Sequence, residues 1–328
     1  MIHNSQIGRV DWIDAAKGIG IILVVIVHTL RGLETANILS FAGIFGHVDV
    51  TIYSFHMPLM FILSGLFIHK SLVQGWFGYV KKHALRLVWP LILWTYIFFI
   101  IKILAGGAPN TPLGWQNFPI FPFPPKVHFW FLWALFLGFL VIKGIYTVGV
   151  AIKIKAISWP AVTLLVLVLV VLWLSSGLHS PWTQQALIHL PYILVGMSLR
   201  LLLSTMPVYV LFGSVALGLF MFCTPLGNIS FVYSYGIANS ISVAIISVIA
   251  LLSRYVSHAW LILVGQASMA IYFAHTIVSA LVRTVLKSMD FDDLSAHITL
   301  GVASGIIVPL IAFVLIRKNK RALKIVGW

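Results

Sequence analysis

A carboxylate, an ammonium group and an imidazole stand at Asp14, Lys17 and His28, within a run that is otherwise as apolar as a bilayer core. In a helix, spacings of three and eleven residues place these groups within about 60° of one another, on a single polar stripe. Lys17 and His28 then lie about 16 Å apart along the axis, more than half the hydrocarbon thickness of a membrane. A cation at one level suits an anionic ligand, and an imidazole at the other suits proton transfer. Ionisable groups at such depth are costly and mark functional sites. The plainer alternative is an i, i+3 ion pair at the interface and a hydrogen-bonded interior histidine.

Further chemistry-bearing residues follow. Tyr53-Ser54-Phe55-His56-Met57-Pro58 leads to Ser64-Gly65. Pro58 frees a backbone carbonyl, and His56 is either satisfied by that carbonyl or free to act. Lys81, Lys82 and Arg86 precede Pro90; a guanidinium at a bilayer entrance suits phosphate recognition. Ser268, Tyr272 and His275 share one helical face, so His28, His56 and His275 meet at similar depth from three helices. Three histidines invite a zinc reading, but no carboxylate lies at that depth to orient the imidazoles, and no metal is assigned. Residues 109–125 hold six prolines together with Trp115, and Trp130 follows shortly after. This loop is either a linker or a lid, and its rings either stack on sugar faces or pack on the bundle. Gly18 and Gly20 permit close approach of another helix or a ligand, with packing the simpler role.

The elements that must position these groups are apolar helices. The 328 residues are 61% hydrophobic and 9% charged, and the mean hydropathy is +1.06, a balance that excludes a soluble globular domain. The reading is an all-α polytopic membrane protein with ten spans, near 12–33, 50–69, 85–105, 128–148, 159–176, 183–203, 207–224, 232–253, 259–282 and 297–316. The fifth is nearly pure Val and Leu and faces lipid. With a cytoplasmic amino terminus, sixteen of the 21 Lys and Arg fall on the inner side and five outside, which places both termini in the cytoplasm. The net charge of +14 is therefore topological and not a nucleic-acid footprint. It also gives the inner face a positive field that favours anionic lipids or an anionic cofactor. The lone cysteine, Cys223, makes thiol catalysis or a Cys metal site a poor expectation. The first apolar run is full length and carries Lys17, so no cleavable signal peptide is expected. Residues 1–328 read as one transmembrane domain with no separate soluble domain and no internal repeat.

In this order, the motifs resemble the integral-membrane acyltransferases of the acyltransferase-3 type, which O-acetylate bacterial surface glycans. Trp12-Ile-Asp14-Ala-Ala-Lys17-Gly18 through His28 is similar to the family's basic residue, ten positions, then histidine. Ser54-Phe55-His56-Met57-Pro58 through Ser64-Gly65 resembles its second signature, and Arg86 with Pro90 its arginine motif. Trp130-Phe131-Leu132 and Ser268-x3-Tyr272-x2-His275 are weaker matches. The chain has Lys17 where many members have arginine, which keeps charge and loses bidentate phosphate binding. The expectation is a member without the extra carboxy-terminal domain that some carry, and the opening looks more like the exopolysaccharide and fucose O-acetylases.

The resemblance implies a bundle of ten helices in the bacterial inner membrane, with no tightly bound cofactor and acetyl-CoA or another acyl-CoA as co-substrate. The acceptor is a glycan hydroxyl at the outer face, arriving lipid-linked or as finished polymer. In that scheme Lys17 and Arg86, with Lys81 and Lys82 in reserve, hold the donor's phosphates, Ser64 donates a hydrogen bond to the donor, and Gly65 belongs to the same donor site. His28 is the general base or carries the acyl group covalently, and His56 orients it or shares the proton. Asp14 positions Lys17, while Tyr272 and His275 support the histidines and Trp115 and Trp130 meet the acceptor. The rival class is a transporter or flippase of a lipid-linked glycan that uses the histidines as a proton relay.

Overall fold

The computed structural model describes residues 11–106, 113–125, 127–154, 157–178, 180–223, 230–253, 255 and 258–328; side chains at 201, 204, 221–223 and 230 are not described. Arg9, Lys126, Lys155 and Arg254, used above to orient the chain, therefore lie outside the described residues, as does the side chain of Cys223. The described residues form helices joined by turns and loops, with no strand among them. Lipid offers no partner for backbone N–H and C=O, so each crossing segment satisfies its own ladder.

The first helix, α1 (Asp11–Thr35), is followed by α2 (Ile44–Gly65) and the short α3 (His69–Leu72). Then α4 (Trp76–His83) and α5 (Trp89–Leu104) are joined by a wider, π-type turn over Ala84–Val88. After the proline-rich loop come α6 (Trp130–Ala151), α7 (Trp159–Ser175), α8 (Gln184–Thr205), α9 (Pro207–Cys223) and α10 (Ser230–Leu252). The last group is α11 (Ala259–Gln266), α12 (Ser268–Ser288), α13 (Leu294–Ile316) and α14 (Lys320–Val326).

Each of the ten expected spans falls on helix. Among the described residues, seven helical stretches are long and apolar enough to cross a membrane, and α7 and the described part of α9 are shorter apolar helices. The protein is a multi-pass integral membrane protein. Two features depart from the expected pattern. The ninth span is broken at Ala267 into α11 and α12, and residues 320–326 form a helix of their own.

The most apolar window of α1 is 67% buried, against 17% for α13, so α1 is the interior helix and α13 a peripheral one. Close crossings seat α1. A Cβ on Gly18 would strike the Leu261 carbonyl of α11, and one on Gly265 would strike the Asp14 carbonyl. Here the small residues serve helix contact. The same device joins α2 to α8, because a Cβ on Gly65 would meet the Ile193 carbonyl and one on Gly196 the Ile62 carbonyl. The outer helix α7 buries only Val166 and Val170 and exposes Leu164, Leu165, Val168 and Leu169, as a lipid-facing helix should.

Pro58 lies inside α2, where its missing N–H and its ring disturb the preceding turn. The buried hydroxyl of Ser242 on α10 donates to the Phe55 carbonyl in that turn at 3.3 Å, which ties α10 to the disturbed turn of α2. Pro90 has a related effect on the other side of the bundle. It offers no N–H to the Arg86 carbonyl, and the Trp89 N–H reaches back to Ala84 instead, which opens the π turn that carries Arg86.

Candidate active site

Three imidazoles cluster where α1, α12 and the turn before α6 meet. Ring centroids are 5.0 Å apart for His28 and His275, 5.7 Å for His28 and His128, and 5.4 Å for His128 and His275. His28 Nδ1 lies 3.0 Å from the Val24 carbonyl and 3.2 Å from His275 Nε2. His275 Nδ1 lies 2.9 Å from the Ile271 carbonyl. A carbonyl oxygen only accepts, so each Nδ1 carries the proton and each Nε2 the lone pair. His28 therefore shares its Nδ1–H between the Val24 carbonyl and His275 Nε2, and its own Nε2 is left basic. His275 is fully buried, whereas His28 is partly exposed. The exposed imidazole can meet a substrate, and the buried one holds it in register.

His56 adopts the same tautomer, with Nδ1 2.9 Å from the Ile52 carbonyl. That oxygen is one full turn back and is not the carbonyl that Pro58 leaves free. His28, His56, His128, Tyr53, Trp130 and Tyr272 line a chamber of about 180 Å³. The Tyr272 hydroxyl donates to the His128 carbonyl and pins the turn before α6 to α12. One turn beyond His28, Arg31 forks onto Asp49 at 2.8 and 2.9 Å and covers the Tyr53 ring, its guanidinium carbon 3.6 Å from the centroid. Among the described residues, no three His, Cys, Asp or Glu side chains converge as a metal-ligand set.

A second centre lies about three helical turns away along α1. Lys17 Nζ is 3.5 Å from Asp14 Oδ1 and 4.3 Å from the centroid of Phe67. Lys17, Lys82 and Arg86 line both a cavity of about 830 Å³ and a narrower passage of about 130 Å³. Asp14 borders the cavity and Ser64 the passage, although the Ser64 hydroxyl donates within its helix to the Met60 carbonyl at 2.8 Å.

The expected residues thus gather at two levels. Lys17, Lys82, Arg86, Asp14 and Ser64 stand at one, and His28, His56, Tyr272, His275 and Trp130 at the other. Three expected residues lie elsewhere. Gly65 faces α8 across the crossing described above, exposed Lys81 borders neither the cavity nor the passage, and Trp115 is 67% exposed and tilts against Phe118.

Sequence reasoning gave no role to His128, Asp49 or His83. His83 is buried, lines the passage, and places Nε2 3.3 Å from Ser71 Oγ. The available signals were a histidine two positions before Trp130, an acid just ahead of Tyr53, and a histidine three positions before Arg86.

A family model described as an acyltransferase domain matches residues 10–317. Two curated relatives carry the description nodulation protein NolL. The protein from Mesorhizobium japonicum is 30% identical over 141 residues, which cover 41% of this chain and 35% of that protein. The one from Sinorhizobium fredii is 30% identical over 135 residues, covering 40% of this chain and 35% of the relative. The match therefore spans about a third of these relatives' length. No solved structure matches.

Proposed function

The chain belongs to the acyltransferase domain family, and from that premise we propose that it moves an acyl group, acetyl in the simplest case, from acyl-CoA to a hydroxyl of a surface glycan. The observation that carries this reading is the tautomer of His28: Nδ1–H is held by Val24 and His275, and a basic Nε2 stands in a chamber large enough for a hydroxyl and an acyl group.

The residues at the Lys17 end fit the donor. Lys17, Lys82 and Arg86 offer three cations to its phosphates, and the passage bordered by Ser64 and His83 suits a thin pantetheine arm. The donor supplies a thioester, an acyl group on a good leaving sulfur. His28 Nε2 takes the proton from the acceptor hydroxyl as that oxygen bonds to the acyl carbon, and it returns the proton to the departing sulfur. While His28 is charged, the Val24 carbonyl and His275 Nε2 both accept from its Nδ1–H, which stabilises the cation where it forms. Across the chamber, His56 Nε2 orients the acceptor hydroxyl, and the ring of Trp130 offers a face to a sugar.

In this reading the Lys17 end faces the cytoplasm of a bacterial inner membrane, where acyl-CoA is made, and the His28 end faces outward to a glycan that is lipid-linked or polymeric. The asymmetry of Lys and Arg supports that orientation. The test is transfer in oriented vesicles supplied with labelled acetyl-CoA on the Lys17 side. Wild type is expected to label an outer product, and His28→Ala to lose about 10²–10⁴-fold in rate while still inserting and folding. Undiminished transfer by His28→Ala would sink the general-base assignment.

A further inference from the structure

The wide cavity beside Lys17 has a wall that the chemistry above does not use, built from residues 320–328. The Asn319 side chain caps α14, accepting from the Arg321 and Ala322 amides at 3.1 Å each. The helix ends at Gly327, whose φ of +77° a side chain resists. That turn brings Trp328 back against α5, where its ring stacks on Trp94 with centroids 6.1 Å apart and planes 15° from parallel. Two indoles of α5 take the carbonyls at the end of α14: Trp89 Nε1 donates to Ile325 at 2.9 Å and Trp94 Nε1 to Val326 at 2.8 Å. A Cβ on Gly327 would collide with the Pro90 ring. The segment is clamped to the bundle and does not trail from it.

Clamped in this way, it completes the cavity. Lys324, Trp328 and the half-exposed Trp89 line the same 830 Å³ as Lys17, Lys82 and Arg86, with Asp14 the acid among them. The volume lies within the usual range of small-molecule sites, about 300–1,000 Å³. Trp328 Nε1 is buried and finds no hydrogen-bond partner among the described residues, although a buried indole N–H ordinarily has an acceptor. A wall that includes two indoles, with a cation at its edge, fits a flat ring that carries phosphates.

We propose that residues 320–328 form the nucleotide cradle of the site, with Trp89 and Trp328 flanking an adenine ring and Lys324 joining Lys17, Lys82 and Arg86 on its phosphates. This rests on the acyl-CoA reading above and gives that donor's nucleotide half a place of its own. Anionic lipid headgroups share the phosphate chemistry but not the ring.

The experiment uses the full chain in detergent, comparing wild type with Lys324→Gln and Trp328→Ala. Binding of radiolabelled adenosine bisphosphate, the nucleotide half of coenzyme A alone, is measured first. Each variant is expected to weaken it about tenfold, as loss of one charge-assisted or stacking contact implies. Transfer is measured second. The KM for acetyl-CoA should rise by a similar factor at constant kcat, and with acetyl-pantetheine, which lacks the nucleotide, wild type and variants should converge on one slow rate. Lys324 is exposed, so its variant keeps the fold even if Trp328→Ala does not. Unchanged nucleotide binding and KM in Lys324→Gln, with wild type active on acetyl-CoA, overturns the cradle alone. Displacement of the nucleotide by anionic lipid vesicles but not by free coenzyme A overturns it in favour of a headgroup site. A wild type that neither binds the nucleotide nor consumes acetyl-CoA overturns the cradle and the donor reading together.

Discussion

His275 cannot touch a substrate from its buried position, yet together with the Val24 carbonyl it holds the proton on Nδ1 of His28. It does so with a lone pair that exists only because its own Nδ1–H is spent on Ile271. His275→Phe keeps the volume and removes that lone pair. His28 would retain the Val24 carbonyl, so the expected loss in kcat is about tenfold, well short of the loss in His28→Ala. Single-turnover rates for the two variants at equal donor occupancy check the order, and equal losses would assign His275 a direct part in the chemistry. The residues that spacing along one helix brings together were legible in the sequence. Lys17 and His28 on α1, and Tyr272 and His275 on α12, needed only the helical period. His128 and Trp328 were not, because each reaches its cavity by a turn of the chain whose direction no local pattern encodes.

At the level of elements, the two glycine crossings fix the distances between helices that the cavities require. At the α2–α8 crossing each glycine lies under a carbonyl of the other helix, so one added methyl on either side forces the pair apart. Gly65→Ala and Gly196→Ala are each expected to cost about 1–3 kcal/mol, seen as a lower Tm in detergent with an unchanged KM for the donor. A raised KM at unchanged Tm in Gly65→Ala would instead place Gly65 on the donor. The helices themselves were legible because twenty-residue apolar runs between basic loops admit few other structures in lipid. The interruption of the ninth span was not. No proline marks it, and Gln266-Ala267-Ser268 gives little warning that α11 leaves to pack on α1 while α12 continues past His28.

For the whole molecule, the proposed reaction requires opposite ends to face different compartments. In a Cys223→Ser background, Lys324→Cys and Trp115→Cys should be labelled by an impermeant maleimide from opposite faces of sealed vesicles, both positions being exposed. Labelling from one face would undo the sidedness on which transfer across the membrane depends. The sequence supports that sidedness through its basic loops, but it holds no equivalent signal for how far each cavity penetrates. The passage beside Lys17 and the chamber around His28 share no wall residue. Between their levels Met60 seats against α1 so closely that a Cβ on Gly20 would stand 2.6 Å from its sulfur. For the proposed transfer, the thioether packed onto a bare glycine is the constriction that the donor's arm has to displace to bring its thioester to His28, and an unbranched, flexible methionine is a side chain that can swing aside.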